Sequence, residues 1–312
     1  MLRLTNEPAE LLRTLASATV ANERSSLPIG YQLYLPQDWA LDGARRKRAE
    51  VPAAIGFATK SKIALEQLRA ARSAKIPAGV VLADAGYGND TAFRLGISAL
   101  GLTYAVGIQG STTVWSEGHQ PLPPRAHWGR GRPGTHLRRN RTHQPIDVNA
   151  LAHELSGRVW RRIPWREGTQ GTMASRFARL RLRAAHRDQI HPEEWLVIEW
   201  PLGETEPTKY WLSTLPQSIA FKELVRLIKL RWRIERDYQE LKQELGLGHY
   251  EGRNWRGFHH HASLTIAAYG FLMRARLTGR AKKNAAPQAI EPMLRFPPTP
   301  KDFLPRGSPR AP

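Results

Sequence analysis

The chain has 312 residues, 41% of them hydrophobic, enough for one large or two ordinary domains with a sizeable core, which excludes a wholly disordered chain. Forty-seven Lys and Arg against 27 Asp and Glu give a net charge of +20, which attracts polyanions and makes nucleic acid the leading ligand class. The absence of cysteine excludes disulfides and thiolate metal sites; with no apolar signal region in MLRLTNEPAELLRTL and no run long enough to span a bilayer, a cytoplasmic protein without a membrane partner is expected.

In chain order, residues 1–15 read as a short polar or helical lead-in. SATV and IGYQLYLP (29–36) read as two strands, the second ended by proline. TKSKIALEQLRAARSAK (59–75) spaces Ile63, Leu65, Leu68 and Ala71 as one helical face, with Thr59 as N-cap. GVVLADAGYG (79–88) has the pattern of a buried strand opening into a loop, which puts Asp84 at a strand end and makes Gly86 and Gly88 turn residues. DTAFRLGISALG (90–101) then reads as a helix and TYAVGIQG (103–110) as a strand, and this alternation favours an α/β sheet.

From 111 to about 145 the composition shifts to Pro, Gly and Arg. PRAHWGRGRPGTHLRRNRTH (124–143) holds six arginines, Arg138 and Arg139 among them, and no acid, as expected of a loop or arm that contacts phosphate with Trp128 beside it. RVWRRIPW (158–165), FARLRLRAAH (177–186), EWLVIEWPL (194–202) and KYWLSTLP (209–216) read as strands. The organisation expected is a first core part at 1–110, a β-rich insertion at 111–215, a helical second core part at 216–280, and a Pro-rich disordered tail at 281–312.

Residues 221–246 are expected to form one helix stopped by Gly246, followed by a second helix over 258–277. At about 100° per residue, Leu224, Leu227, Ile228, Arg231, Ile234, Glu235, Tyr238, Lys242 and Leu245 share one face, so three charges fall inside an apolar stripe. Burying a lone carboxylate costs several kcal/mol, so Glu235 is expected to be ion-paired, protonated, metal-bound or at the rim of a cleft. An i, i+4 pair with Arg231 on a solvated face is the plain structural alternative. With Asp84 on the same core, the two carboxylates could share a divalent cation, and Arg231 would then suit bidentate and Lys242 point-charge contact with phosphate.

Other signals read more plainly. His259, His260 and His261 point about 100° apart on a helix and cannot converge on one ion, so they are expected to be structural or DNA-facing. Trp165 and Trp211 are expected as core aromatics, and Arg253, Trp255 and Arg256 as a DNA patch.

These residues together resemble the insertion-sequence DDE transposases whose glutamate lies in a Tyr-x2-Arg-x3-Glu-x6-Lys signature. Ile228, Arg231, Glu235 and Lys242 stand at the matching positions, with isoleucine in place of tyrosine. LYLPQDW (33–39), LADAGYG (82–88), KYWLSTLP (209–216) and RWRIERDYQELKQELGLGHYEGRNWRGFHHH (231–261) extend the resemblance from about residue 17 to 277. It implies an α/β, RNase H-like catalytic core interrupted by a β-rich insertion, and a transposase that cleaves transposon ends and joins them to target DNA. It implies a two-metal site for Mg2+ or Mn2+ held by Asp84 and Glu235, phosphate contacts from Arg231 and Lys242, Tyr238 standing in for the replaced tyrosine, and a homodimer on DNA. The family's first aspartate has no counterpart, since Asp38 and Asp42 both follow LYLP in a turn. The expectation is therefore a truncated copy lacking the first core strand and crippled in catalysis, or a non-catalytic DNA-binding remnant that co-assembles with a full-length transposase.

Overall fold

The computed structural model describes residues 15–283, apart from 23–24, 126–128, 130–133, 169–170 and 187–188. The lead-in to residue 14, Trp128 and the Pro-rich segment from 284 lie outside the described residues. The first two strands, β1 (Leu15–Ala21) and β2 (Ser26–Leu33), pair antiparallel as a two-stranded sheet. Two short helices, α1 (Gln37–Leu41) and α2 (Gly43–Arg48), follow LYLP where the sequence suggests only a turn. Asp42 caps α2 by accepting a hydrogen bond from the Arg45 amide, and the Arg45 guanidinium lies 3.2 Å from Asp42 and 3.8 Å from Asp38.

Helix α3 (Lys60–Ser73) starts at Thr59, whose hydroxyl accepts from the Lys62 amide, and buries Ile63. Next come β3 (Val81–Ala83), α4 (Ala85–Gly88), α5 (Thr91–Ala99) and β4 (Tyr104–Ile108), with β3 and β4 parallel in the register Val81↔Tyr104. Strand β3 is only three residues long and half-buried, because it is the edge strand and has a neighbour on one side only. The glycines after it form a helical turn rather than an open loop.

Strands β5 (Thr113–Trp115), β6 (Ile146–Asp147), β7 (Arg161–Gly168), β8 (Gly171–Ala184), β9 (Glu193–Pro201) and β10 (Lys209–Ser213) complete an eight-stranded mixed sheet, with α6 (Val148–Glu154) between β6 and β7. Its order is β3-β4-β10-β9-β8-β5-β6, with β7 on β8, so strands of the 111–215 segment continue the sheet of β3 and β4. The arginine-rich arm is not wholly loop: β5 opens it, and backbone bridges join Leu122 to Arg138 and Asn140 to His143.

Alternation along the strands fills both faces of the sheet. Tyr104, Val106, Leu196, Ile198 and Leu212 pack under α5 and α6, while Ala105, Phe177, Trp195, Val197 and Trp211 pack under α7 (Phe221–Lys229). A third cluster joins β2 to α8 (Trp232–Gln243) and the long α9 (Trp255–Lys283) through Leu33, Leu241, Phe258 and Tyr269.

The helix expected over 221–246 is therefore two helices. Leu230 N donates to Leu227 O and Ile234 N to Arg231 O, both at 3.1 Å, so three-residue steps tighten the backbone at the joint. The joint lets α7 pack on the sheet and α8 on β2 and α9, and the buried stripe changes with it. Leu224, Val225, Ile228 and Lys229 are buried on α7, whereas α8 buries Leu241 and leaves Glu235 and Lys242 exposed. The three charges thus lie outside the buried stripe that continuous periodicity assigns them. Gly246 ends this region at φ +73°, the left-handed backbone that favours glycine beyond a helix C-terminus, and Leu247 N donates back to Leu241 O at 2.8 Å.

Gly88 is a closer constraint, since a β-carbon there would overlap the Gly107 carbonyl oxygen of β4. Gly88→Ala is expected to cost about 1–3 kcal/mol by forcing α4 off β4, whereas Gly43→Ala, with open space around it, stays near neutral; urea unfolding of both variants checks this.

Candidate catalytic site

Asp84 follows β3 directly and caps α4, its Oδ1 accepting from the Gly86 amide at 3.0 Å. Gly107 on the neighbouring strand makes room for this turn, because a β-carbon there would stand 3.1 Å from the Ala85 nitrogen. Arg94 on α5 is buried; it donates to the Gly88 carbonyl and, at 3.0 Å, to Thr91 Oγ1, and so fixes the end of the same turn. Backbone pairing, two glycines and a buried guanidinium thus set where Asp84 emerges.

Across from it stands the start of α8. Arg231 Nη2 donates to Glu235 Oε1 at 2.6 Å, and Arg231 Nη1 lies 3.6 Å from Asp84 Oδ2. One guanidinium therefore bridges two carboxylates far apart in sequence. The side chains of Arg231, Asp84 and Glu235 are 36%, 47% and 63% exposed, so the cluster is open to solvent and its charges keep much of their hydration. Of the states open to Glu235 from sequence, the structure shows the ion pair.

Tyr87 of α4 lies within electrostatic reach of Asp84 and of Tyr238 on α8. Burial pushes the Tyr87 hydroxyl above its ordinary value, and the nearby Asp84 carboxylate and Tyr238 add to this. Tyr238 itself is half-buried against the Leu241 cluster.

The remaining expected residues are spread around this point. Lys242 is exposed on the last turn of α8, and Arg253 and Arg256 are exposed before and within the first turn of α9. Trp255 between them is buried, with its amide donating to Ala49 O at 2.7 Å, so it belongs to the core and not to a DNA patch. In the arm, Arg138 Nε donates to Pro123 O at 2.9 Å, while Arg139 is exposed and its guanidinium sits 5.7 Å from the Trp115 ring centre. His259 and His261 are structural: their rings bond to the carbonyls of Trp255 and Gly246 at 2.8 and 2.9 Å.

Two oxygen donors converging on one cationic group fit a single hard divalent ion, since Mg2+ is commonly held by one or two carboxylates plus substrate phosphates. Among the described residues no group of three or more His, Cys, Asp or Glu side chains comes together for a metal, so the donor set there falls short of a two-metal cluster. Asp38 and Asp42 are taken up by Arg45 and the α2 cap.

A sequence profile of the DDE superfamily endonucleases matches residues 13–172, just over half of the chain. The chain belongs to the DDE superfamily endonucleases. Among curated proteins no relative matches it. The mixed sheet flanked by helices is the RNase H-like architecture of this family, a nuclease and transposase type that acts on DNA. Asp84 falls inside the matched region of this DDE endonuclease and Glu235 outside it. Among the described residues no helix is long and apolar enough to cross a membrane.

Sequence reasoning missed the groups that hold this site from behind. Lys229, the last residue of α7, is buried and donates to both oxygens of buried Glu199 at 2.5 and 2.6 Å, and Ser175 Oγ donates to Glu199 Oε1 at 2.8 Å. The rings of Trp165, Phe177 and Trp211 surround the ammonium at 4.0 to 5.6 Å, which makes both tryptophans core aromatics. Burial pulls the Lys229 ammonium below its ordinary value, and the Glu199 hydrogen bond opposes this. The signal was present: alternation along EEWLVIEWP sets Glu199 on the same face as Trp195 and Val197, where a carboxylate needs a cation.

Two outcomes follow. Lys229→Met is expected to destabilise the fold by about 3–5 kcal/mol by stranding Glu199, and the double variant Lys229→Met, Glu199→Leu recovers most of that in denaturant titration. Glu194 is fully buried and accepts from Tyr104 Oη at 2.7 Å, and desolvation pushes its carboxyl above the ordinary 4.5. The folded state then binds more protons than the unfolded one from pH 4.5 upward, so this residue's contribution to stability declines as pH rises toward the folded value. Glu194→Gln removes that decline from a plot of unfolding free energy against pH.

Proposed function

We propose that the chain is a DNA transposase whose chemistry is metal-dependent cleavage and strand transfer at transposon ends. The observation that carries this reading is the Arg231 bridge, which gathers Asp84 and Glu235 at one exposed point of the core. These two carboxylates would hold Mg2+ or Mn2+, which when bound polarises the scissile phosphate and activates the attacking oxygen. Arg231 offers a planar fork and Lys242 a point charge for the backbone phosphates that flank the cut. Tyr238 is half-buried on the same helix as Lys242, and exposed Arg253, Arg256 and Arg139 with half-exposed Arg138 would add basic groups for the rest of the DNA.

The division proposed for the chain is a first core part at 1–110, a β-rich insertion built onto the same sheet at 111–215, and a second core part at 216–280 that brings Glu235. Two copies on the DNA would present two such sites to the two transposon ends.

A second reading is supported by the donor count. With two carboxylates gathered among the described residues, the chain would bind DNA without efficient cleavage and would act by joining an assembly with an intact transposase. Incubation of the 312-residue protein with labelled duplex and Mn2+ separates the two. The transposase reading expects weak nicking that falls at least about a hundredfold in Asp84→Ala and Glu235→Gln, with DNA affinity changed less than about threefold. Salt-sensitive binding with no nicking supports the second reading, and nicking that survives Glu235→Gln rules out the role given to that residue.

A further inference from the structure

The bridge that marks the site also blocks it. Arg231 places a unit positive charge against Asp84 Oδ2 and Glu235 Oε1, while Asp84 Oδ1 is engaged by the Gly86 amide. A divalent cation held by the same pair needs those oxygens, and two cationic groups cannot share them without strong repulsion at such short range. The guanidinium is 36% exposed and sits at the joint between α7 and α8, so the side chain has room to turn outward without opening the core.

We propose that Arg231 is a built-in counter-ion that competes with the divalent cation for Asp84 and Glu235, and that its displacement frees the guanidinium for a DNA phosphate. This rests on the reading of the two carboxylates as a cation site. In the unloaded protein Arg231 keeps two like charges together and lowers their repulsion, so the carboxylates stay gathered. When a cation takes them, Arg231 loses both partners, while a phosphate offers two oxygens to the same two guanidinium nitrogens. Cation and DNA therefore favour each other through one side chain, and the coupling is reciprocal: whatever factor the cation adds to DNA affinity, DNA adds to cation affinity.

Competition has a sign that a supporting role for Arg231 does not share. Calorimetric titration of the DNA-free 312-residue chain with Mn2+ is expected to show binding that Asp84→Ala abolishes. Arg231→Gln is expected to tighten that binding by about three- to tenfold, because the exposed pair no longer has to be broken. Arg231→Lys, which keeps the charge and loses the fork, falls between. In the same variants, duplex affinity measured by fluorescence anisotropy with and without Ca2+ is expected to show a smaller gain from the cation in Arg231→Gln than in the natural protein. Mn2+ binding that depends on Asp84 but is equal or weaker in Arg231→Gln overturns the competition while leaving the cation site standing. No Asp84-dependent binding in either protein overturns both the competition and the site.

Discussion

A lysine buried against a carboxylate, with aromatic rings around it, is the contact on which the arrangement of the second half of the chain turns. Taking two charges out of water costs several kcal/mol for each, and the cost is offset only by short, well-directed bonds such as the pair of contacts from Lys229 to Glu199. That requirement ties the C-terminal end of α7 to β9 at one point. The joint at Leu230 and Arg231 follows at once, so the position of the bridging arginine is set by a bond that itself has no contact with the site. The tolerance for error is small, because the Arg231 fork reaches Glu235 at 2.6 Å and Asp84 at 3.6 Å.

The two halves of the site are held by different physics. Asp84 is placed by backbone: parallel pairing of β3 on β4, a helix cap, and glycines where side chains would collide. Glu235 is placed by side chains, through apolar packing of Leu241 and Tyr238 and the anchoring of α7 behind it. Arg231 joins a rigid element to one that depends on the angle between two short helices. The separation of the pair therefore depends on where α8 lies, whereas the place of Asp84 is tied to the sheet.

Much of this was legible in the sequence because it depends on local chemistry. Thr59 reads as a cap and acts as one, and the strands of the 158–216 region appear where β-branched and aromatic residues alternate. Asp84 at a strand end needed only the apolar run before it and the glycines after it. The errors came where tertiary packing overrides a local period. The stripe from Leu224 to Leu245 assumed one straight helix, but α7 and α8 serve different clusters, so the face buried by the first is not the face buried by the second. For the same reason Lys229, off the predicted stripe, is buried, and Glu235, on it, is not. Trp255 reads as part of a DNA patch with Arg253 and Arg256, and only the cluster around Leu33 and Phe258 shows what it fills.

The charge of the whole chain bears on the site in a way the local geometry does not. A net +20 raises the electrostatic energy of a small cation approaching the carboxylates and lowers that of DNA. At physiological salt the screening length is about 8 Å, so the charges that matter most are the near ones. The nearest is Arg231 itself, which contacts both carboxylates. Duplex phosphates brought into that region cancel part of the positive potential and leave the carboxylates more attractive to a cation. On the proposed cation site the basic surface would therefore bias the order of assembly, the polyanion offsetting a positive charge that disfavours a metal.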